Sequence, residues 1–430
     1  IVFGDWSSDV CSSDLSDVKD RLYVKSLAVK NNDDIVVIIA IDSLFVSSDM
    51  HDAITKRIEE FTGIKPNDVI ISATHTHTGG PIDNWGKNIK ADKEYVDMLC
   101  RLSADCAVLA LKRLQPANVK FGKGDVDSVS YHRIYKMKDG TVRTNPGRLN
   151  KDIIEPYSGI DSELPILFCE DESGKPIGAV VNFACHQDCV DGTEYSGDYS
   201  SILSKELKKV YGDEFVSLFV AGTCGNINHF NINEASDPPD HYIKMGKILA
   251  DEAVKTINAS TKISGEKIAV KKEYIKIKKR MLSEEQVLDA QEVIKNIKEA
   301  PDMKIASDSE PDQLKLAFAH DLMRYNEDKK TECDVCVQSA VIGNCVIFAL
   351  PGEVFVQFGK YIKEKTDSEN VIIATLCNGA YGYIPTRELF LPNVYESKLG
   401  STSFLESEAG YIISDKAIES GNSLIKKIAD

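Results

Sequence analysis

Short apolar, largely β-branched runs alternate with helical stretches along most of this chain, and that alternation restricts its fold more than any other feature. Residues 35–41 form a continuous β-branched run that reads as a buried strand. Further strands are predicted over 69–73, 118–122, 166–170, 177–184, 215–221 and 371–376, and a hairpin over 335–342 and 346–350 turning at Gly343-Asn344. Between them the spacing predicts helices over 49–61, with Ser47 and Ser48 available as caps, and over 92–114, stopped by Pro116. Others follow over 200–211, 241–257, from Glu353 to about 366, and 407–428. The class is α/β, a mixed β-sheet core flanked by helices. Residues 262–331 differ: rich in lysine and glutamate, they read as a peripheral helical lobe, with helices over 283–299 and 313–326. Residues 16–430 are expected to form one domain carrying that insertion.

Residues 1–15 are set apart. Residues 4–15, GDWSSDVCSSDL, read as the translation of a sequencing-library adapter rather than as native protein. On this reading Cys11 is foreign, and the native start of the chain, with any signal peptide, is not seen. The net charge of −16 becomes −13 without Asp5, Asp9 and Asp14. An acidic balance excludes nucleic acid, whose phosphates need a basic patch. No apolar run is long enough to span a bilayer, which takes roughly 18–20 residues. The remaining cysteines sit mostly in apolar segments without a disulfide-like spacing, a usage that favours the cytoplasm. The pair Cys333 and Cys336 has no second pair to complete a zinc site.

Three of the strands end in polar, glycine-containing loops that carry histidine, and ligand sites in such sheets gather at strand ends. Val69–Ala73 runs into Thr74-His75-Thr76-His77-Thr78-Gly79-Gly80-Pro81. Residues i and i+2 of a strand share a face, so His75 and His77 are expected side by side, as imidazoles offered to zinc would be. Two of the chain's eight histidines stand here, although a His-x-His also serves as an ordinary solvated strand edge. His186 follows the strand 177–184, and His229 lies in Gly225-Asn226-Ile227-Asn228-His229. His51, His241 and His320 sit on helical stretches and read as surface or packing residues. Glu353, after Pro351-Gly352, reads equally well as a charge complementing a helix N-terminus. A metallo-β-lactamase pattern would continue past His77 with Asp-His, and Thr78-Gly79-Gly80 stands there instead; the strand preceding His75 argues against a barrel amidohydrolase.

The ordered series of motifs resembles the N-terminal catalytic domain of the neutral/alkaline, non-lysosomal ceramidases, and more closely their short bacterial members. Thr74–Gly80 is similar to the family's T-H-T-H-S-G-P, and Asn182-Phe183-Ala184-Cys185-His186 to its N-F-A-x-H. Ser196-Gly197-Asp198-Tyr199 and residues 222–228 are similar to its A-D-Y and glycine-rich loops. Leu350-Pro351-Gly352-Glu353-Val354-Phe355 resembles L-P-G-E-x-F; residues 378–387 resemble N-x-Y-x-x-Y-I-x-T, and Tyr395-Glu396 the following Y-E. The resemblance extends from about Arg21 to the C-terminus. It implies one catalytic zinc ion held by His75, His186, Glu353 and Tyr383. It implies oxyanion stabilisation by His77 and Tyr395, with Arg133 assisting. The activity implied is hydrolysis of an amide in a ceramide-like or other small or lipid-like N-acyl substrate.

The chain departs from the family at Asn228, which stands where the ceramidases carry a serine; asparagine can hydrogen-bond substrate but cannot be a nucleophile, so a water mechanism is expected. The family's C-terminal immunoglobulin-like domain and its first strand are also not expected here, leaving a sheet edge open. A zinc esterase or lactonase would use the same groups, and a non-catalytic binding protein could retain the scaffold.

Overall fold

The structure is a computed structural model and describes the backbone of Val2–Ser8 and residues 17–84, 90–192, 194–298 and 311–429. Its helices are α1 (Ser48–Thr62), α2 (Lys93–Lys112), α3 (Asp198–Tyr211), α4 (His241–Ala259), α5 (Glu284–Asn296), α6 (Pro311–Tyr325), α7 (Val356–Lys365) and α8 (Ala409–Ala429). The class is α/β, as the sequence indicates.

Alternation within the apolar runs explains the layering. In Asp34–Ile41, Val37, Ile39 and Ile41 face one apolar cluster, with α1 to α4, while Val36, Ile38 and Ala40 face another. That second cluster is the centre of the molecule, because strands of three sheets contribute to it: Leu27, Ile38 and Ile70 from the first, Leu167, Val180 and Leu218 from the second, Ala340, Ile347 and Ile372 from the third. A strand buried on both faces has no polar side to show, hence the unbroken run. The third sheet presents its outer face to α7 and α8 through Val346, Phe348, Phe358, Ile362 and Ile413.

Each sheet contains one parallel pair: Asp34–Ile41 with Val69–Ala73, Pro176–Phe183 with Val216–Ala221, and Cys345–Ala349 with Asn370–Ala374. The sheets are joined beside the ends of these pairs. Asn182 donates its amide to Val220 O and Ile373 O, both at 2.9 Å, linking the second sheet to the third. Thr375 N donates to Ala221 O at 2.8 Å, and Asn378 N to Ile71 O at 3.0 Å. The loops leaving the three sheets are therefore fixed against one another.

Local rules hold at the helix ends. Ser47 caps α1 by accepting from Met50 N, and Gly63, at φ 77°, closes it in the left-handed conformation glycine tolerates. Ser283 and Gln286 form a reciprocal capping box on α5.

Three expectations are corrected. Ile268–Lys278, inside the segment expected to be helical, is an edge strand of the third sheet, paired with Glu332–Ile342; Lys276 and Lys278 are exposed, as lysines often are on edges, while Lys272 turns inward and places its ammonium 2.7 Å from His51 Nε2. Leu22–Asn31 is a further strand, and the backbone of Val2–Ser8 pairs antiparallel with it, so the edge expected to be open is occupied. Glu353 does not begin a helix: Glu353–Val354 is a short strand, and α7 starts at Val356. Of the stretch between the helices expected over 283–299 and 313–326, residues 299–310 lie outside the described residues. Cys333 and Cys336 are free and three apart on one strand, hence on opposite faces.

Two core histidines give a pH prediction. Burial, with Lys272 alongside, pushes His51 down to about 4, and burial likewise pushes His132 to about 4. Both recover ordinary values near 6.5 on unfolding. Between about pH 6.5 and 4 the unfolded chain binds protons that the folded chain does not, so stability falls as pH falls and is complete above 6.5. The expected loss is on the order of 2 kcal/mol per imidazole by about pH 4.5. Denaturant midpoints should show a shallower pH slope in His51→Gln than in wild type; equal slopes would contradict the assignment.

Candidate metal centre

The site forms where the parallel strands end. Val69–Ala73 stops before the histidines, and His75 adopts φ 74°, a left-handed conformation uncommon away from glycine. His75 N donates to Ser43 O at 3.0 Å and His77 N to Gln187 O at 3.0 Å. The two rings therefore do not leave one strand face in parallel, as strand alternation would have them; a turn brings them together, with centroids 5.0 Å apart and planes at 81°.

His186 follows Pro176–Phe183, and its ring lies 4.7 Å from that of His75. Glu353 arrives from the third sheet. The strand Glu353–Val354 pairs in parallel with Tyr383–Ile384, placing Glu353 beside Tyr383. Gly225 makes room for this: a Cβ there would lie 2.3 Å from Glu353 O. Glu353 Oε2 sits 3.3 Å from His75 Nε2 and 3.1 Å from His186 Nε2.

The proton inventory decides what this cluster can hold. His75 Nδ1 lies 2.7 Å from Leu44 O, and His186 Nδ1 lies 2.7 Å from Cys224 O and 3.1 Å from Ile227 O. A carbonyl only accepts, so each Nδ1 carries the proton and each neutral ring turns an Nε2 lone pair toward Glu353. His75 Nε2 is buried without a hydrogen-bond partner. With both rings neutral, three electron-rich atoms meet with no proton between them. A cation resolves this, and tetrahedral zinc bonds of about 2.0–2.1 Å would separate their ligand atoms by about 3.3 Å. The residues fit a metal ion.

The charges agree. Burial disfavours the charged form of Glu353, but His75 and His186 outweigh it and hold the carboxyl well below its usual range. Burial also opposes charge on His75, yet Glu353 prevails and raises its basicity; burial and Arg133 lower that of His186. The pocket is set to accept positive charge close to Glu353.

Arg133 is fixed by a short antiparallel pair, Tyr131–His132 with Ile227–Asn228. Its Nε donates to the fully buried Glu396 at 2.5 Å and its Nη2 to Gly225 O at 2.6 Å. Its Nη1 lies 3.4 Å from His186 Nε2, and the guanidinium sits 5.2 Å from the Tyr383 ring centre. Tyr383 stacks near His186 at 6.4 Å; burial and Glu353 keep its phenol protonated. Tyr395, partly exposed, meets Tyr383 edge-on at 5.7 Å and Phe318 of α6 at 5.9 Å. Helix α6 is thereby brought against the site. His77 is the exposed ring of the histidine group, and surrounding protein and His75 still lower its basicity. Asn228 is buried, donates to Asn145 Oδ1 at 3.0 Å, and leaves its own Oδ1 without a partner.

A model of the neutral/alkaline non-lysosomal ceramidase N-terminal domain matches residues 12–236. The chain belongs to this family. His75, His77, Arg133, His186 and Asn228 lie in the matched span. The fold extends the likeness further. The crystal structure of neutral ceramidase from Pseudomonas aeruginosa aligns with a TM-score of 0.74 at 16% identity, covering 99% of this chain and 74% of that one. A second solved structure, a ceramidase complexed with C2, aligns with a TM-score of 0.72 at 16% identity over 99% and 75% of the two chains. No curated protein matches.

Two residues of the candidate site escaped the sequence reading. Glu396 was visible only as the partner of Tyr395 in a motif, and its pairing with Arg133 spans 263 positions. Asp188, two residues after His186, is held well below the usual carboxylate range: burial opposes this, but His229, His186 and His77 outweigh it. A carboxylate so near a candidate ligand was the available signal. A separate cleft of about 640 Å³, lined by Phe45, Met50, Ile82, Asp83 and Arg101 among others, contains none of these groups.

Proposed function

We propose that this ceramidase-family chain is a zinc-dependent hydrolase cleaving the amide of a ceramide-like or other N-acyl substrate. The observation carrying this reading is the convergence of His75 Nε2, His186 Nε2 and Glu353 Oε2, at 3.1 and 3.3 Å, with both imidazole protons committed elsewhere. Two neutral nitrogens and a carboxylate are the donors of hydrolytic zinc sites, and Tyr383 beside Glu353 serves as the fourth, weak ligand. Zinc bound there supplies Lewis acidity and lowers the pKa of a water toward about 7.

The chain's own groups do the rest. Glu353 carries the compensating charge, and backbone carbonyls fix both imidazoles. Arg133, with two of its N–H groups spent on Glu396 and Gly225, keeps Nη1 on the His186 side. With His77 and Tyr395 it stabilises negative charge as it develops on the substrate carbonyl oxygen. The unpartnered Oδ1 of Asn228 accepts a hydrogen bond from a substrate amide or hydroxyl. Asparagine is no nucleophile, so water attacks.

The likeness in fold to a ceramidase complexed with C2 supports a lipid-like substrate. The ten cysteines among the described residues are all free, which supports a reducing, cytoplasmic setting. No helix among those residues is long and apolar enough to cross a membrane.

The test is hydrolysis of matched amide and ester substrates, including a short-chain ceramide, before and after chelation. Amide cleavage lost on chelation and restored by zinc supports the reading; ester or lactone cleavage alone would replace it with the esterase alternative. Tyr395→Phe should lower turnover about 10²-fold with bound zinc retained. An unchanged rate would remove Tyr395 from oxyanion stabilisation.

A further inference from the structure

A second group of metal-type donors lies apart from the three atoms just described. Cys189, His229 and His241 bring their ligand atoms within 4.8 Å of one another. Cys189 follows the His186 turn, His229 ends the glycine-rich loop, and His241 opens α4. Nothing in the hydrolytic reading uses them.

Their protons are arranged as those of His75 and His186 are, with the ring nitrogens exchanged. His241 Nε2 lies 3.1 Å from His229 O, so it carries the proton and leaves Nδ1 with a lone pair. His229 Nε2 faces the Asp188 carboxylate at 3.4 Å. A proton on that nitrogen leaves Nδ1 as acceptor; this Nδ1 is buried without a hydrogen-bond partner, its nearest carboxylate oxygen, Asp237 Oδ2, standing 4.0 Å away, beyond hydrogen-bond reach. The His229 side chain is only 9% exposed, so water does not readily satisfy it. The rings stand 5.1 Å apart. Met245, fully buried on α4, places its sulfur 3.8 Å from Cys189 Sγ. Two imidazole nitrogens, a thiol and a thioether form a soft to borderline donor set, unsuited to magnesium or calcium. Cys189 and His241 are half-buried, so an ion has a route in.

We propose that Cys189, His229 and His241 bind a second, thiophilic transition-metal ion of the zinc class, with Met245 beside the thiolate. Closing around the ion requires the donors to approach by about 1 Å, since tetrahedral Zn–S and Zn–N bonds are about 2.3 and 2.0–2.1 Å. Binding converts the Cys189 thiol to a thiolate: the S–H bond breaks, its proton goes to solvent, and the sulfur pair forms the bond to metal. Without metal the thiol stays protonated, because burial and the nearby Asp198 and Asp188 carboxylates raise it. Asp188 connects the two groups, facing His229 while also feeling His186 and His77. The proposal does not depend on the hydrolytic assignment, because the two sites share no ligand.

Cobalt, a spectroscopic substitute for zinc, tests it. Metal-free full-length protein is titrated with Co²⁺ while near-ultraviolet thiolate-to-cobalt absorption is followed. Wild type should bind two equivalents and show this absorption. Cys189→Ser should bind one and lose the absorption, and His241→Gln should weaken the same equivalent. His75→Ala should also lose one equivalent but keep the absorption, so failure at either site is told apart. Absence of thiolate absorption in folded wild type overturns the proposal. So does absorption that survives Cys189→Ser, which would place the thiolate on another cysteine.

Discussion

Replacing His75 with alanine should eliminate zinc binding at the His186–Glu353 site and hydrolysis together, while the protein stays folded. His75 supplies one of the three converging donors, and its Nδ1 is already tied to Leu44 O, so no other ring can swing into its place. His77 is the nearest imidazole, but its backbone is fixed to Gln187 O and its ring centroid stands 5.9 Å from that of His186, against 4.7 Å for His75. Changes to residues that merely orient zinc ligands cost about 10–100-fold in affinity, and loss of a ligand itself should exceed that. Glu353, left with one imidazole, would retain an uncompensated buried charge unless it took up a proton. Metal analysis beside turnover checks this. Retained zinc with lost activity would make His75 a substrate-binding residue, and retained activity would dismiss it altogether.

Replacing Glu396 with alanine should cost about 3–5 kcal/mol of stability, a large effect for a residue outside the metal donors. Glu396 is fully buried, accepts from Arg133 Nε at 2.5 Å through one oxygen and from Thr144 Oγ1 at 2.6 Å through the other. Removing it strands a buried guanidinium, which is more costly than never having placed the pair. Activity should fall too, because Arg133 would no longer be held beside His186. The double change Arg133→Met with Glu396→Leu separates the two effects. It should recover much of the stability, since no charge is left unpaired, yet leave turnover low. Recovery of both would reduce Arg133 to a structural residue.

The pairing of Arg133 with Glu396 shows what the sequence could not reveal. Partners 263 positions apart carry no local signal, and Glu396 stands out only once the chain is folded. The buried strands were legible for the opposite reason. A run such as 35–41 is apolar on both faces because two cores claim it, and composition alone records that. Leu22–Asn31 escaped because Lys25 interrupts it, and the structure shows that lysine buried with its ammonium 2.9 Å from Ser204 Oγ. Ile268–Lys278 escaped because a lysine-rich edge strand resembles a solvated helix face in sequence. At the site, His75 and His77 were visible as a pair, but the left-handed turn at His75 that brings them together was not. Glu353 was visible only through resemblance. Its composition suits a helix N-terminus, and the strand pairing with Tyr383 decides otherwise.

The most direct test of the account is zinc titration into chelator-stripped Cys189→Ser protein, which leaves only the His75–His186–Glu353 site to load. Amide hydrolysis should rise in proportion to zinc and reach its plateau at one equivalent per chain. Full hydrolysis without metal, or a folded protein that takes up no zinc, would contradict it.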